Sequence, residues 1–137
     1  MLRFLIVDDD EDDRELFCTA VEGVEPTIEC ASAIDGEDAL SGLRCGRLAK
    51  PDLIFLDLNM PRLNGVRTLI EFKKDRQLKD IPVVIYSTSK LPRDKEQTAA
   101  LGAIGFITKP TALSDLEQTI TEILHERFQI IPSRNFH

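Results

Sequence analysis

The segment Leu53-Ile54-Phe55-Leu56-Asp57-Leu58-Asn59-Met60-Pro61 runs from four apolar residues through one carboxylate into a turn closed by Pro61. An apolar run of this length without polar alternation suits a strand buried on both faces, as in a parallel sheet. Open α/β sheets bind ligands at the carboxyl ends of their strands, which is where Asp57 falls. Taken alone, Asp57 is read equally well as a turn residue or as a chemical one.

Working outward, the patterns on either side alternate between strand and helix. Leu2 to Val7 is a short β run, followed at once by the acidic stretch Asp8-Asp9-Asp10-Glu11-Asp12-Asp13. Such a charge run is ordinarily a solvated face. Here its first two members end a strand, while Asp12 and Asp13 fall in the first turn of a helix, where negative charge suits the dipole. Leu16, Phe17, Ala20, Val21 and Val24 continue that helix at helical spacing. Pro26 to Ala31 is a weak second strand, and Asp35-Gly36 opens a second helix towards Cys45, with Gly46 as its stop.

Beyond Pro61, Asn64-Gly65 starts a third helix that carries Val66, Leu69, Ile70 and Phe72 and ends near Asp75. Ile81 to Tyr86 is a fourth strand ending in Ser87-Thr88-Ser89. Pro92 to Leu101 is a helix closed by Gly102, and Ala103 to Ile107 is a fifth strand ending in Thr108-Lys109-Pro110. The last helix starts around Ser114 as its cap, with Leu116, Ile120, Ile123 and Leu124 on one face. Five alternations imply an α/β fold, a parallel sheet covered by helices on both sides.

The bulk composition narrows the function. With 137 residues the chain is expected to form one domain over 1–127 and a short tail over 128–137. Its 17 Lys+Arg against 24 Asp+Glu argue against direct binding to nucleic acid, which needs clustered cations. No apolar run reaches membrane-span length, so a cytoplasmic, membrane-free protein is expected. Cys18, Cys30 and Cys45 lack metal-ligand spacing and are read as reduced structural thiols. His125 and His137 are the only histidines, too few and too far apart for a His-centred zinc site or triad.

Polar residues end four of the five strands: Asp8/Asp9, Asp57, Ser87 and Lys109. In a parallel sheet these ends share one edge. Three carboxylates gathered there would repel, and a hard divalent cation such as Mg²⁺ relieves them. Lys109 adds a fixed positive charge and Ser87 a hydroxyl. Together they form an electrostatic cradle for a phosphoryl group, with a carboxylate as nucleophile. Singly, each has a plainer reading: Lys109 a surface charge, Ser87 a turn hydroxyl, Asp8/Asp9 a helix cap. All of those plain readings holding at once is the weaker account.

Ile6-Val7-Asp8-Asp9-Asp10, Leu56 to Pro61 with Asn64-Gly65, Ser87, Phe106 and Lys109-Pro110 resemble, in order, the receiver domain of two-component response regulators, over residues 1 to about 126. The resemblance implies a flavodoxin-like, doubly wound (βα)₅ fold with strand order 2-1-3-4-5. It implies that Asp57 accepts a phosphoryl group from a sensor histidine kinase or phosphotransferase. Asp8 and Asp9 become the acidic pair of an Mg²⁺ site, with Asp9, Asp57 and the Asn59 backbone carbonyl as ligands. Lys109 holds the phosphoryl oxygens, Ser87 is the switch hydroxyl and Phe106 the switch aromatic. The Lys109–Pro110 bond is expected to be cis.

With no output domain after the last helix, the chain is expected to be a stand-alone regulator. It would signal to a downstream protein, unknown from sequence, through contacts of its last helices. A looser likeness, in Arg76 to Asp80 and the tail, is to single-domain regulators that partner phytochrome-type histidine kinases. Ile130, Ile131 and Phe136 in the tail are read either as cover for a helix face or a homodimer partner, or as a frayed end. The competing class is an Mg²⁺-dependent aspartyl-nucleophile phosphohydrolase. Such enzymes generally carry an Asp two residues after the nucleophile, and Asn59 there cannot exchange a proton. A flavodoxin-like nucleotide module is disfavoured because Asp8 to Asp13 would repel a phosphate.

Overall fold

A computed structural model describes residues 1–60 and 63–132. Pro61, the end of the opening turn, and Phe136 lie outside the described residues. The elements alternate as β1 (Arg3–Val7), α1 (Glu11–Val24), β2 (Glu29–Ala33), α2 (Gly36–Cys45), β3 (Leu53–Leu56), α3 (Gly65–Lys74), β4 (Val83–Ser87), α4 (Pro92–Ala100), β5 (Gly105–Thr108) and α5 (Leu113–Phe128). All strand pairs are parallel, in the order β2-β1-β3-β4-β5. The parallel sheet is the one expected from the alternation, and the doubly wound (βα)₅ order is the one the receiver-domain resemblance implies.

Period-two alternation in the strands sorts the core into two clusters, one on each face of the sheet. Leu5, Val7, Ile54, Leu56, Val83 and Ile85 face α2 and α3, meeting Leu40, Leu43, Leu69 and Phe72. Phe4, Ile6, Leu53, Phe55, Val84 and Tyr86 face α1 and α5, meeting Phe17, Val21, Ile120 and Leu124. Phe17 lies between Phe55 and Tyr86, with ring centroids 4.5 and 5.5 Å away. β3 is central and every one of its residues is buried, which accounts for its unbroken apolar sequence.

Several local expectations shift: β4 begins at Val83 rather than Ile81, and β5 at Gly105 rather than Ala103. The second strand begins at Glu29 rather than Pro26, because Pro26 to Ile28 form a turn. The Ile28 amide bonds to the Glu25 carbonyl, and the Thr27 hydroxyl donates to the Glu25 carboxylate. α5 begins at Leu113 with Ala112 as its uncapped N-cap, so Ser114 sits inside the first turn. That start lets the Leu116 amide bond to the Ala112 carbonyl while its side chain enters the core. The Lys109–Pro110 bond is trans, like every peptide bond described. The trans form is intrinsically favoured by about 0.5–1 kcal/mol, and Lys109 is already held by its own hydrogen bonds.

Candidate functional site at the carboxyl edge of the sheet

Register determines which side chains meet. Val7 pairs with Leu56, so Asp8 and Asp57 leave neighbouring strands at the same level. The Asp57 amide donates to the Val7 carbonyl at 3.0 Å, and the Asp8 amide to the Ala33 carbonyl at 3.2 Å. On the other side Ser87 pairs with Thr108, and the Lys109 amide donates to the Ser87 carbonyl at 2.8 Å. Asp8, Asp57 and Ser87 are buried, whereas Asp9 is exposed at the rim.

Carboxylate oxygens of Asp8, Asp9 and Asp57 lie within 4.8 Å of one another. The Lys109 ammonium bonds Asp8 Oδ2 at 2.7 Å and Asp13 Oδ2 at 2.8 Å, and stands 3.8 Å from Asp57 Oδ2. Two residues that the sequence reading left out of the site therefore belong to it. The sequence places Asp13 at the helix start, and it does occupy the first turn of α1. Helical side chains lean towards the N-terminus, so an acid in that turn also overhangs the strand end. Arg14 donates from Nη1 to the Asp8 carbonyl at 2.8 Å, bracing the loop between β1 and α1. Asp10 caps α1, accepting from the Asp12 and Asp13 amides. An arginine directly after an acidic run was the available signal.

Burial pushes the Asp57 carboxyl up to about 6, opposed by the Lys109 ammonium and reinforced by the Asp8 charge. Burial also raises the Asp8 carboxyl, against its hydrogen bonds from Lys109 and the Asp10 amide. Desolvation alone would discharge Lys109, but its bonds to Asp13 and Asp8 outweigh that and raise its pKa. The cluster thus holds more carboxylates than Lys109 can neutralise. All its free ligand atoms are hard oxygens. That donor set fits a hard divalent cation such as Mg²⁺.

The remaining predicted residues are less tightly placed. Asn59 is exposed two residues beyond Asp57, where its backbone amide draws the Asp57 carboxyl down. Ser87 Oγ accepts from the Ser89 amide at 3.2 Å. Phe106 is half-buried in β5, with Lys95 of α4 over its ring at 5.8 Å, and pairs with Ile85 rather than reaching the carboxylates. Behind Asp57, Gly65 opens α3, its amide bonded to the Leu58 carbonyl at 2.9 Å. A Cβ at Gly65 would stand 2.2 Å from the Asp57 carbonyl oxygen, so only glycine permits that approach.

The family model for the response regulator receiver domain matches residues 4–121. Protein PilH of Pseudomonas aeruginosa is 31% identical over 124 residues, covering 90% of this chain and 98% of that protein. The phosphorylated cyanobacterial phytochrome response regulator RcpA superposes with a TM-score of 0.84 at 32% identity, covering 97% of this chain and 99% of that one. The Mn²⁺-bound response regulator Rcp1 gives 0.80 at 28%, covering 96% and 97%. Three other curated relatives are longer, and the chain spans 38%, 50% and 58% of their lengths. Fold and family model agree: the chain belongs to the response regulator receiver domain family of two-component signalling.

Proposed function

We propose that this protein is a stand-alone, Mg²⁺-dependent response regulator that accepts a phosphoryl group on Asp57 from a phosphohistidine of a sensor kinase or phosphotransferase. The observation that carries the reading is one buried carboxylate, Asp57, with two further carboxylates within 4.8 Å and the Lys109 ammonium at 3.8 Å. Asp8, Asp9 and Asp57, with the Asn59 backbone carbonyl, would hold the cation. Bound there, Mg²⁺ would neutralise the carboxylates and draw charge from the phosphoryl oxygens.

In the transfer an Asp57 oxygen attacks phosphorus, and the P–N bond to the donor imidazole breaks. The imidazole keeps the electron pair and is reprotonated. Lys109, released in part from Asp8 and Asp13, pairs with a phosphoryl oxygen. Ser87 donates its hydroxyl to another, exchanging its contact with the Ser89 amide for one with the phosphoryl group. Phosphorylation adds about −1.5 to −2 of charge at the end of β3. Phe106 and α4 lie on the side where Ser87 moves, and α4-β5-α5 is the surface offered to a downstream protein.

The test is incubation with acetyl phosphate and Mg²⁺ followed by intact mass. One phosphoryl group is expected on the wild type and none on Asp57→Asn. An adduct that persists in Asp57→Asn would place the acceptor elsewhere.

A further inference from the structure

Cys18 and Cys30, far from the carboxylate cluster in role, lie side by side. Cys18 is on α1 and Cys30 on the edge strand β2, with Cys18 Sγ 3.9 Å from the Cys30 carbonyl oxygen. Cys18 is the donor in that contact, and both side chains pack against the same core cluster between α1 and the sheet. Both are half-buried at the margin of the phenylalanine cluster rather than sealed inside it. A cleft of about 310 Å³ opens onto Cys18, lined also by Glu11, Arg14, Glu15 and Ser32. Cys45, exposed at the end of α2, serves as an internal comparison.

We propose that Cys18 and Cys30 are a thiol–disulfide exchange pair, Cys18 attacking and Cys30 resolving, which closes to a disulfide joining α1 to β2. Cys18 lines the cleft and Cys30 does not, so a small disulfide meets the Cys18 sulfur first. The neighbouring Cys18 and burial both raise the Cys30 thiol. Once Cys18 is in a mixed disulfide its sulfur is no longer an anion, and that restraint on Cys30 is relieved.

The co-reactant is a small disulfide. The Cys18 thiolate attacks one of its sulfurs, its S–S bond breaks, and the first small thiolate leaves and takes up the Cys18 proton. Cys30, giving its proton to solvent, then attacks Cys18 Sγ and expels the second small thiolate. Two protein thiols are oxidised and one disulfide is reduced to two thiols. The carboxylates of Glu11 and Glu15 outnumber Arg14 at the cleft, so a neutral or cationic disulfide is favoured over an anionic one. Closure brings the sulfurs to about 2.05 Å and ties α1 to the edge strand β2.

The full chain, reduced and then treated with cystamine, is alkylated and analysed by intact mass and non-reducing peptide mapping. The expected result is a loss of two hydrogens and a cross-link between the peptides bearing Cys18 and Cys30, with only a small adduct on Cys45. Dithiothreitol should reverse it, Cys45→Ser should retain it, and Cys30→Ser should trap cystamine on Cys18. Recovery of Cys18 and Cys30 as alkylated thiols, or as two separate adducts without a cross-link, would overturn the proposal. The wild-type map decides even if the Cys30 variant folds poorly.

Discussion

Burial pushes the Asp57 carboxyl up to about 6 from an ordinary value of 3.8, while Lys109 at 3.8 Å pulls it down. A carboxyl whose folded pKa exceeds its unfolded one makes the folded protein bind the proton more tightly. Its stabilising contribution is therefore present below about pH 4 and lost as pH rises through about 6. By linkage the loss is on the order of 2–3 kcal/mol in the metal-free protein. Asp57→Asn removes the titration and keeps a neutral group of similar shape. Urea unfolding in the presence of a chelator should find the variant more stable than wild type at pH 7.5, with the advantage shrinking towards pH 4.5. A gap that stays constant across that range would mean the Asp57 charge is not strained by its surroundings.

Among the helices, α4 is the least anchored. Its one buried residue is Thr98, and its N-cap, Leu91, makes no side-chain bond to the helix. By contrast α1 buries Phe17, Ala20, Val21 and Val24, and α5 buries Leu116, Ile120 and Leu124. Helices with few buried apolar contacts open at lower free energy than the core. Amide hydrogen exchange should therefore be faster through α4 than through α1 or α5, and phosphorylation should change protection in α4 and β5 more than in α2. Equal protection in α4 and α1 would remove α4 as the element biased by Ser87 and Phe106. The existence of all ten elements was legible in the sequence because period and punctuation agreed along the chain. Their ends were less so. At β2, the Pro26–Ile28 turn depends on the Glu25 side chain, and at α5 the start follows the burial of Leu116. The first is a side-chain contact within three residues that strand propensity does not register, and the second depends on tertiary burial.

At the scale of the whole molecule, Asp8, Asp9, Asp57 and Lys109 were legible as one cluster because parallel strands bring their carboxyl ends to one edge. Asp13 was not, since its second role depends on how α1 sits over β1. The tail shows the same limit: Phe128 reaches the Phe4 ring at 6.1 Å and Ile130 packs on the core, while Ile131 is exposed, a division no periodicity marks. The formal charge of −7 is concentrated in part at this edge, where Lys109 is shared by Asp8, Asp13 and Asp57. A ligand bound by the folded state alone stabilises it by mass action, about 2.7 kcal/mol at a concentration a hundred times its Kd. Mg²⁺ should accordingly raise the melting temperature progressively, by more than NaCl at equal ionic strength. Asp9→Asn tests the site with least risk to folding, because Asp9 is exposed and outside both core clusters. It should remove most of the Mg²⁺-dependent rise while leaving the metal-free melting temperature nearly unchanged. If Asp9→Asn keeps the full rise, or NaCl reproduces it, the carboxylate edge is merely screened by salt rather than occupied by a cation.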